Sequence, residues 1–185
     1  RTYDLIIRRS AIHGQVCTFG SKGRRLLDPF PIVQLDVRDK FGKRDVMGQS
    51  SPLFLMQKSN LGSHSLPKLR ETSFSALRLL EGKLIASPYI LKDCDEDQRA
   101  FFFIFADLSI RLRGTFRLEF SLIKLGPRFS STSARKAAVG GEIVAKTISE
   151  PFQMHHAEDF AGMTKSTPLA KSLASQGAHI PIRMD

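Results

Sequence analysis

Apolar and polar positions alternate most cleanly in the second half of the chain. Leu108, Ile110 and Leu112 are interleaved with Ser109, Arg111 and Arg113, and after Gly114 the residues Phe116, Leu118, Phe120 and Leu122 are interleaved with Arg117, Glu119 and Ser121. Period two predicts strands with one buried and one solvated face. Immediately before them, Phe101-Phe102-Phe103-Ile104-Phe105 is apolar at every position, short, aromatic and bounded by turn signals. A run of this kind predicts a strand buried on both faces, at the centre of the core. Between the two alternating segments, Arg113-Gly114 fits either a two-residue hairpin turn or a corner where the chain crosses between the sheets of an immunoglobulin-like sandwich.

The rest of the chain is also mostly of strand character. Tyr3 to Arg9 mixes β-branched and aromatic residues and ends in charge, predicting a first strand, followed by an irregular segment from Ala11 to Phe19. Pro29 and Pro31 cannot donate ladder hydrogen bonds, so Asp28-Pro29 marks a corner at a sheet edge before Ile32, Val33, Leu35 and Val37 form a strand. Asp39 to Asp45 carries the glycine and charges of an exposed turn. Pro52 to Met56 reads as a short strand, Asn60 to Pro67 as a long polar loop, and Ile143 to Ile148 as a further strand. Leu79 to Leu91 alternates only loosely, with Leu80, Leu84, Ile85, Tyr89 and Leu91 as core candidates. Helix signals are confined to one place: Ser166 or Thr167 as cap, Pro168 in the first turn, Leu169, Leu173 and Ala174 on one face, and Gly177 as the stop. His179 to Arg183 predicts a last edge strand. The expected architecture is one mainly β domain over residues 1–185, with a short C-terminal helix and a flexible basic insertion at about 126–141, where Ser, Gly and Ala gather around Arg128, Arg135 and Lys136.

Composition adds a partner class to this picture. Lys plus Arg number 28 against 18 Asp plus Glu, a formal net charge of +10 that favours polyanionic partners, nucleic acid ahead of acidic membrane. With 42% hydrophobic residues most of the chain should fold, yet no run approaches the roughly 18 apolar residues of a membrane span. Arg1-Thr2-Tyr3-Asp4 lacks the apolar core of a signal peptide, and Cys17 and Cys94 lie far apart, so two buried thiols in a reducing compartment are expected.

Catalytic and metal chemistry find little support. Asp93-Cys94-Asp95-Glu96-Asp97 is dense in oxygens but lacks the spaced ligands, sharp Gly and distal Glu of a calcium loop, so a solvated turn is expected. His155 and His156 are adjacent, which on a strand points them to opposite faces, and no HExxH spacing accompanies them. No serine lies in a GxSxG elbow and no phosphate-cradling GxxxxGK[ST] occurs. No catalytic residue, cofactor or metal ligand is expected.

The chemistry that does stand out is Gly20-Ser21-Lys22-Gly23-Arg24-Arg25-Leu26-Leu27-Asp28-Pro29-Phe30-Pro31-Ile32-Val33-Gln34-Leu35. It sets three cations on a glycine-flanked loop ahead of a proline-stiffened corner and a strand. Cations without a nucleophile, base or metal ligand beside them suit a grip on a phosphate backbone. They also suit a simple solvated turn, and net charge by itself argues only for non-specific attraction. Arg24 or Arg25 is the better candidate for a base edge, because a guanidinium can pair bidentately, while Lys22 would only position. Lys40, Lys43 and Arg44 form a second, weaker basic group.

These segments resemble the velvet domain of fungal developmental regulators. The resemblance rests on Cys17-Thr18-Phe19-Gly20-Ser21-Lys22-Gly23-Arg24-Arg25 with Asp28 to Leu35, on Phe102 to Leu112 with Gly114-Thr115-Phe116-Arg117-Leu118, and on Phe160 to Thr167 with Gly177 to Arg183. It implies an immunoglobulin-like, Rel-homology-like β-sandwich that binds double-stranded DNA and acts in the nucleus, with shuttling to the cytoplasm. The implied partner is a second copy or another velvet protein, and the implied role is control of transcription in sporulation, development and secondary metabolism. The DNA-contact role falls on Lys22, Arg24 and Arg25, with Arg8 and Arg9 as neighbours; Lys43 and Arg44 of the second basic group are further DNA-binding candidates from their charge. His155, His156, Glu158 and Asp159 stand where the family pattern has an aromatic and two lysines, Ala161 where it commonly has proline, and Phe30 is a milder departure within the proline corner. The alternative of another class is a protein-interaction module that dimerises with another velvet regulator without touching DNA.

Overall fold

The computed structural model describes residues 1–17, 25–45, 53–61, 79–125 and 141–183, with backbone alone for 53–61 and 125. Among them the strands are β1 (Thr2–Arg9), β2 (His13–Gln15), β3 (Ile32–Arg38), β4 (Leu53–Leu61), β5 (Leu80–Gly82), β6 (Ile85–Ala86), β7 (Tyr89–Lys92), β8 (Arg99–Ile104), β9 (Leu108–Ile110), β10 (Gly114–Leu125), β11 (Gly141–Ile148) and β12 (Phe152–His155), followed by the helix α1 (Pro168–Ser175). One sheet runs β1-β3-β8-β7, a second runs β2-β12-β10-β4-β6 with β11 also on β10, and β5 pairs with β9 alone.

The two large sheets share one core. Val33, Leu35, Val37, Phe101, Phe103 and Phe105 on one side meet Phe116, Leu118, Phe120, Leu122, Phe152 and Met154 on the other. The Phe105 and Phe120 rings lie 5.3 Å apart between centroids, in the tilted arrangement that the aromatic quadrupole favours. The opposite face of β8 is covered as well: Ala100 and Phe102, with Phe30 and Ile32, pack against Ala170 and Leu173 of α1 and Ala178 beyond it. That third layer is why the aromatic run is apolar at consecutive positions. Odd-numbered residues fill the sandwich, and even-numbered ones seat the helix.

The helix uses the expected signals. Thr167, not Ser166, is the cap, accepting the Ala170 N–H on Oγ1 at 3.3 Å. At its end Gly177, at φ 98°, lets the Gly177 N–H reach Ala174 O at 2.9 Å and the Ala178 N–H reach Leu173 O at 3.1 Å. Those paired bonds form a Schellman stop, and the Leu173–Ala178 contact that accompanies it belongs to the helix-side core.

Several boundaries differ from expectation. His179 to Arg183 forms no strand: Pro181 removes a donor, and the segment is held by Ile180 and Ile182 packed on the helix-side core and by the Arg183 N–H on Ser166 Oγ at 2.9 Å. β4 extends through Asn60 and Leu61, because β10 offers partners along its length from Lys124↔Leu53 to Phe116↔Leu61. The segment after Ala11 contains β2, which pairs in parallel with β12. Leu80 is buried, and Leu84, Tyr89 and Leu91 are half-buried against the cores, but Ile85 is 58% exposed on the edge strand β6. Arg113-Gly114 is not a hairpin turn, because β9 pairs with β5 and not with β10; the chain passes there from the small β5-β9 sheet into the second large sheet, not between the two large sheets. The insertion expected at 126–141 lies outside the described residues except for Gly141, which begins β11.

One side of β10 is shared by two partners, β12 along Gly114–Phe116 and β11 from Glu119 onward. Buried Ser149 bridges the handover. Its N–H donates to Leu118 O at 2.8 Å, its Oγ accepts the Leu118 N–H at 2.9 Å, and that hydroxyl donates to Glu150 O at 2.9 Å.

Candidate nucleic-acid interface

Lys22 and Arg24 lie outside the described residues, but both flanks of their segment are defined. The Cys17 N–H donates to Ile110 O at 3.2 Å, and the Leu27 N–H donates to Leu108 O at 2.8 Å. Both acceptors belong to β9, a strand of 3 residues, so the two flanks stand side by side at one narrow place. Cys17 and Leu27 are themselves buried, which anchors the flanks by apolar burial as well as by hydrogen bonds. Arg25, the described cation of this group, is exposed.

Directly after the second flank, Asp28 is a buried hub. The Asp28–Pro29 peptide is cis. The Asp28 carboxylate accepts the Thr164 N–H on Oδ2 at 2.5 Å and Arg183 Nη1 on Oδ1 at 2.7 Å, with His13 Nε2 at 3.3 Å. Its backbone exchanges bonds with β2, the Asp28 N–H donating to His13 O at 2.9 Å and Asp28 O accepting the His13 N–H at 3.0 Å. Burial alone would push the carboxyl up, but the hydrogen bonds from Thr164, Arg183 and His13 outweigh it and hold the group below the usual carboxylate range. Through this one residue the base of the basic segment is tied to β2 and to the C-terminal segment.

The remaining cations of the expected site are spent largely inside the fold. Register along β1 shifts between Ile7 and Arg9, a bulge that turns Arg8 and Arg9 toward the same outer side. Arg8 donates to the Asp93 carboxylate and the Gln34 side chain, and its Nη2 reaches Asp95 Oδ2 at 2.6 Å. Its hydrogen bond to Asp93 keeps the guanidinium proton held more tightly than usual. Arg9 is buried with its guanidinium 4.7 Å above the Phe30 ring, and burial pushes its proton affinity down. Arg44 Nε donates to Asp36 Oδ1 at 2.8 Å and Nη1 to Glu96 Oε2 at 2.6 Å. Lys43 is exposed on a turn capped by Asp39, whose Oδ1 accepts the N–H groups of Phe41 at 2.8 Å and Lys43 at 3.0 Å. That turn follows β3, whereas Asp28 and Arg25 precede it. The strand's 7 residues put about 20 Å between the two groups at about 3.3 Å per residue.

The acidic loop divides in two. Asp95 to Asp97 is an exposed turn, as expected, but Asp93 is buried and serves as the counter-ion of Arg8. Burial would raise its carboxyl, yet the Arg8 hydrogen bond, the Asp95 N–H and the charges of Arg8 and Arg44 hold it below the usual range. Cys17 is buried as expected, whereas Cys94 is exposed because it sits at this turn. Desolvation and its two aspartate neighbours push the Cys94 thiol up, keeping it protonated. His155 ends β12 half-buried, and His156 is exposed.

Sequence reasoning placed Asp28 at a corner but missed its hub role, and met Thr164 and Arg183 only inside longer motifs, without a role for either. Their partner lies 136 and 155 residues away, beyond any local pattern. A charged residue locked to the front of a proline was the available signal.

A family model of the velvet factor matches residues 3–61 and 57–185. Over the whole chain the sequence is 40% identical to the sexual development regulator umv3 of Mycosarcoma maydis, covering 46% of that protein. It is 31% identical over 98% of its length to the spore development regulator vosA of Beauveria bassiana, covering 66% of it. Over 58% of its length it is 43% identical to a velvet complex subunit of Emericella nidulans, covering 30% of that protein. The chain thus spans less than half of the sexual development regulator it matches end to end.

Proposed function

The chain belongs to the velvet family, and on that premise we propose that it is a sequence-specific DNA-binding domain of a transcription regulator of fungal development, sporulation and secondary metabolism, acting in the nucleus. The observation that carries this reading is the anchoring of the Lys22–Arg25 segment: both flanks stand on β9, and Asp28 fixes the corner behind it. A cationic segment held at both ends loses less conformational freedom on binding than a free one, so more of its phosphate attraction survives as affinity. Arg24 or Arg25 reads a base edge, and Lys22 positions the backbone. No catalytic step is assigned.

Three to five neutralised phosphates per domain give a slope of log affinity against log salt of about −3 to −5, at roughly 0.9 per contact. Duplex binding measured from low to high salt tests this, and a salt-insensitive complex overturns it.

A second reading is favoured by the internal pairing of Arg8 and Arg44 and by a relative named as part of a velvet complex. In it the domain pairs with a second copy or another velvet protein and never touches DNA. Charge reversal at Lys22, Arg24 and Arg25 separates the two. Lost duplex binding with intact pairing supports DNA contact, and intact promoter association with lost pairing supports the interaction module.

A further inference from the structure

Beside the first flank of the basic segment lies a small open cleft of about 160 Å³, walled by Arg113, Gly114, Thr115, Gln153, Met154 and His155. That is far more than the roughly 15 Å³ needed to admit one water. Its lining residues include Arg113, Thr115, Gln153 and His155, with no Asp or Glu among them. Arg113 is exposed and, among the described residues, makes no ion pair, unlike Arg111, which pairs with Glu81. An arginine without an ion pair, lining a cleft that has no acidic residue, suits an oxyanion.

Position decides which oxyanion. The Val16 N–H donates to His155 O at 2.9 Å, and the Cys17 N–H donates to Ile110 O. The chain therefore enters the Lys22–Arg25 segment from between the ends of β12 and β9. The cleft is lined by Gln153, Met154 and His155 of that same β12 and by Arg113 with Gly114 and Thr115, the first residues of β10.

We propose that this cleft seats a backbone phosphate of the same duplex that the Lys22–Arg25 segment grips, with Arg113 as its charged ligand and the His155 wall beside it. The proposal rests on the DNA-binding reading and adds a contact from the β9–β10 crossing, remote in sequence from the basic segment. Arg113 contacts phosphate only, so its contribution is independent of base sequence.

The experiment measures binding of a 20-base-pair random-sequence duplex to the whole chain across a salt series. It compares the wild type with Arg113→Ala, Arg113→Lys and a control, Lys171→Ala, which removes one exposed charge from α1. Arg113→Ala should weaken binding about five- to tenfold and make the salt slope shallower by about 0.9. Arg113→Lys should keep most of the slope, and Lys171→Ala should leave it unchanged. Arg113→Gln gives the same reading if the alanine variant does not fold. A wild type that binds with a steep salt slope while Arg113→Ala behaves like Lys171→Ala overturns this inference and leaves the DNA-binding reading standing. A wild type that does not bind the duplex overturns both. Titration with inorganic phosphate alone separates the sources. A site for the free ion would saturate without DNA and leave the duplex affinity of Arg113→Ala at the wild-type value, which also overturns the proposal.

Discussion

Arg183 Nη1 donates to Asp28 Oδ1 at 2.7 Å, joining residues 155 apart in sequence at a carboxylate that is 1% exposed. Arg183 is itself about a third exposed, so the pair's own Coulomb energy is screened. The weight of the contact lies on the buried side, where Asp28 also satisfies the Thr164 N–H and His13. Asp28→Ala strips these donors of their acceptor and should cost about 3 kcal/mol, against about 1 kcal/mol or less for Arg183→Ala. Denaturant unfolding of the two variants checks the order.

Acid sensitivity follows from the same carboxylate. The folded-state value of Asp28 is depressed, so its stabilisation is complete above the unfolded carboxylate value of about 3.9 and disappears as pH falls through the lower folded value. Asp93 has the same sign. Stability measured from pH 7 to pH 2 should be nearly level above about pH 5 and decline below about pH 4. Asp28→Asn, which cannot titrate, should show a shallower acid decline.

Two phenylalanines should behave in opposite ways. Phe103 is 0% exposed in the sandwich core, and Phe103→Ala should cost about 3–5 kcal/mol. Phe41 is 81% exposed on the Asp39–Asp45 turn, and Phe41→Ala should change stability by about 0.5 kcal/mol or less. Thermal unfolding of both distinguishes core from tip.

The helix cap offers a smaller test. Thr167→Ala removes the acceptor of the Ala170 N–H and should cost about 1 kcal/mol, while Thr167→Ser should retain most of it.

Much of this fold was legible in the sequence, because the strands that matter announce themselves by period. β10 alternates cleanly since one of its faces is core, and α1 carries its cap, its proline and its glycine in order. What escaped depended on contacts distant in sequence. The bulge at Arg8 breaks period two, so two adjacent arginines both turn to the outer side, where one meets an acidic loop 85 residues on. Arg44 looked like a free cation because Asp36 and Glu96 are brought to it only by the sheet. Ile85 looked like core because its apolarity is real, but β6 is an edge strand of 2 residues. The basic segment itself was visible from its charge and glycines, whereas its footing on β9 was not, since nothing in Leu108 or Ile110 marks them as acceptors for Leu27 and Cys17.

The double burial of β8 has a consequence for how that strand finds its place. In a strand with one wet face, a slip of one residue is punished at once, because polar groups enter the core. Phe101, Phe102, Phe103 and Ile104 carry no such information, as a one-residue slip exchanges one large apolar group for another on both faces. Registration must therefore come from the strand's ends. The turn before it supplies this, with the Asp93 N–H on Gln98 O at 2.7 Å and the Asp97 N–H on Asp93 O at 3.1 Å, and Asp93 is in turn fixed by Arg8 of β1. The ion pair that holds Arg8 inside the fold thus serves as an index mark, aligning the central strand with the edge of its own sheet.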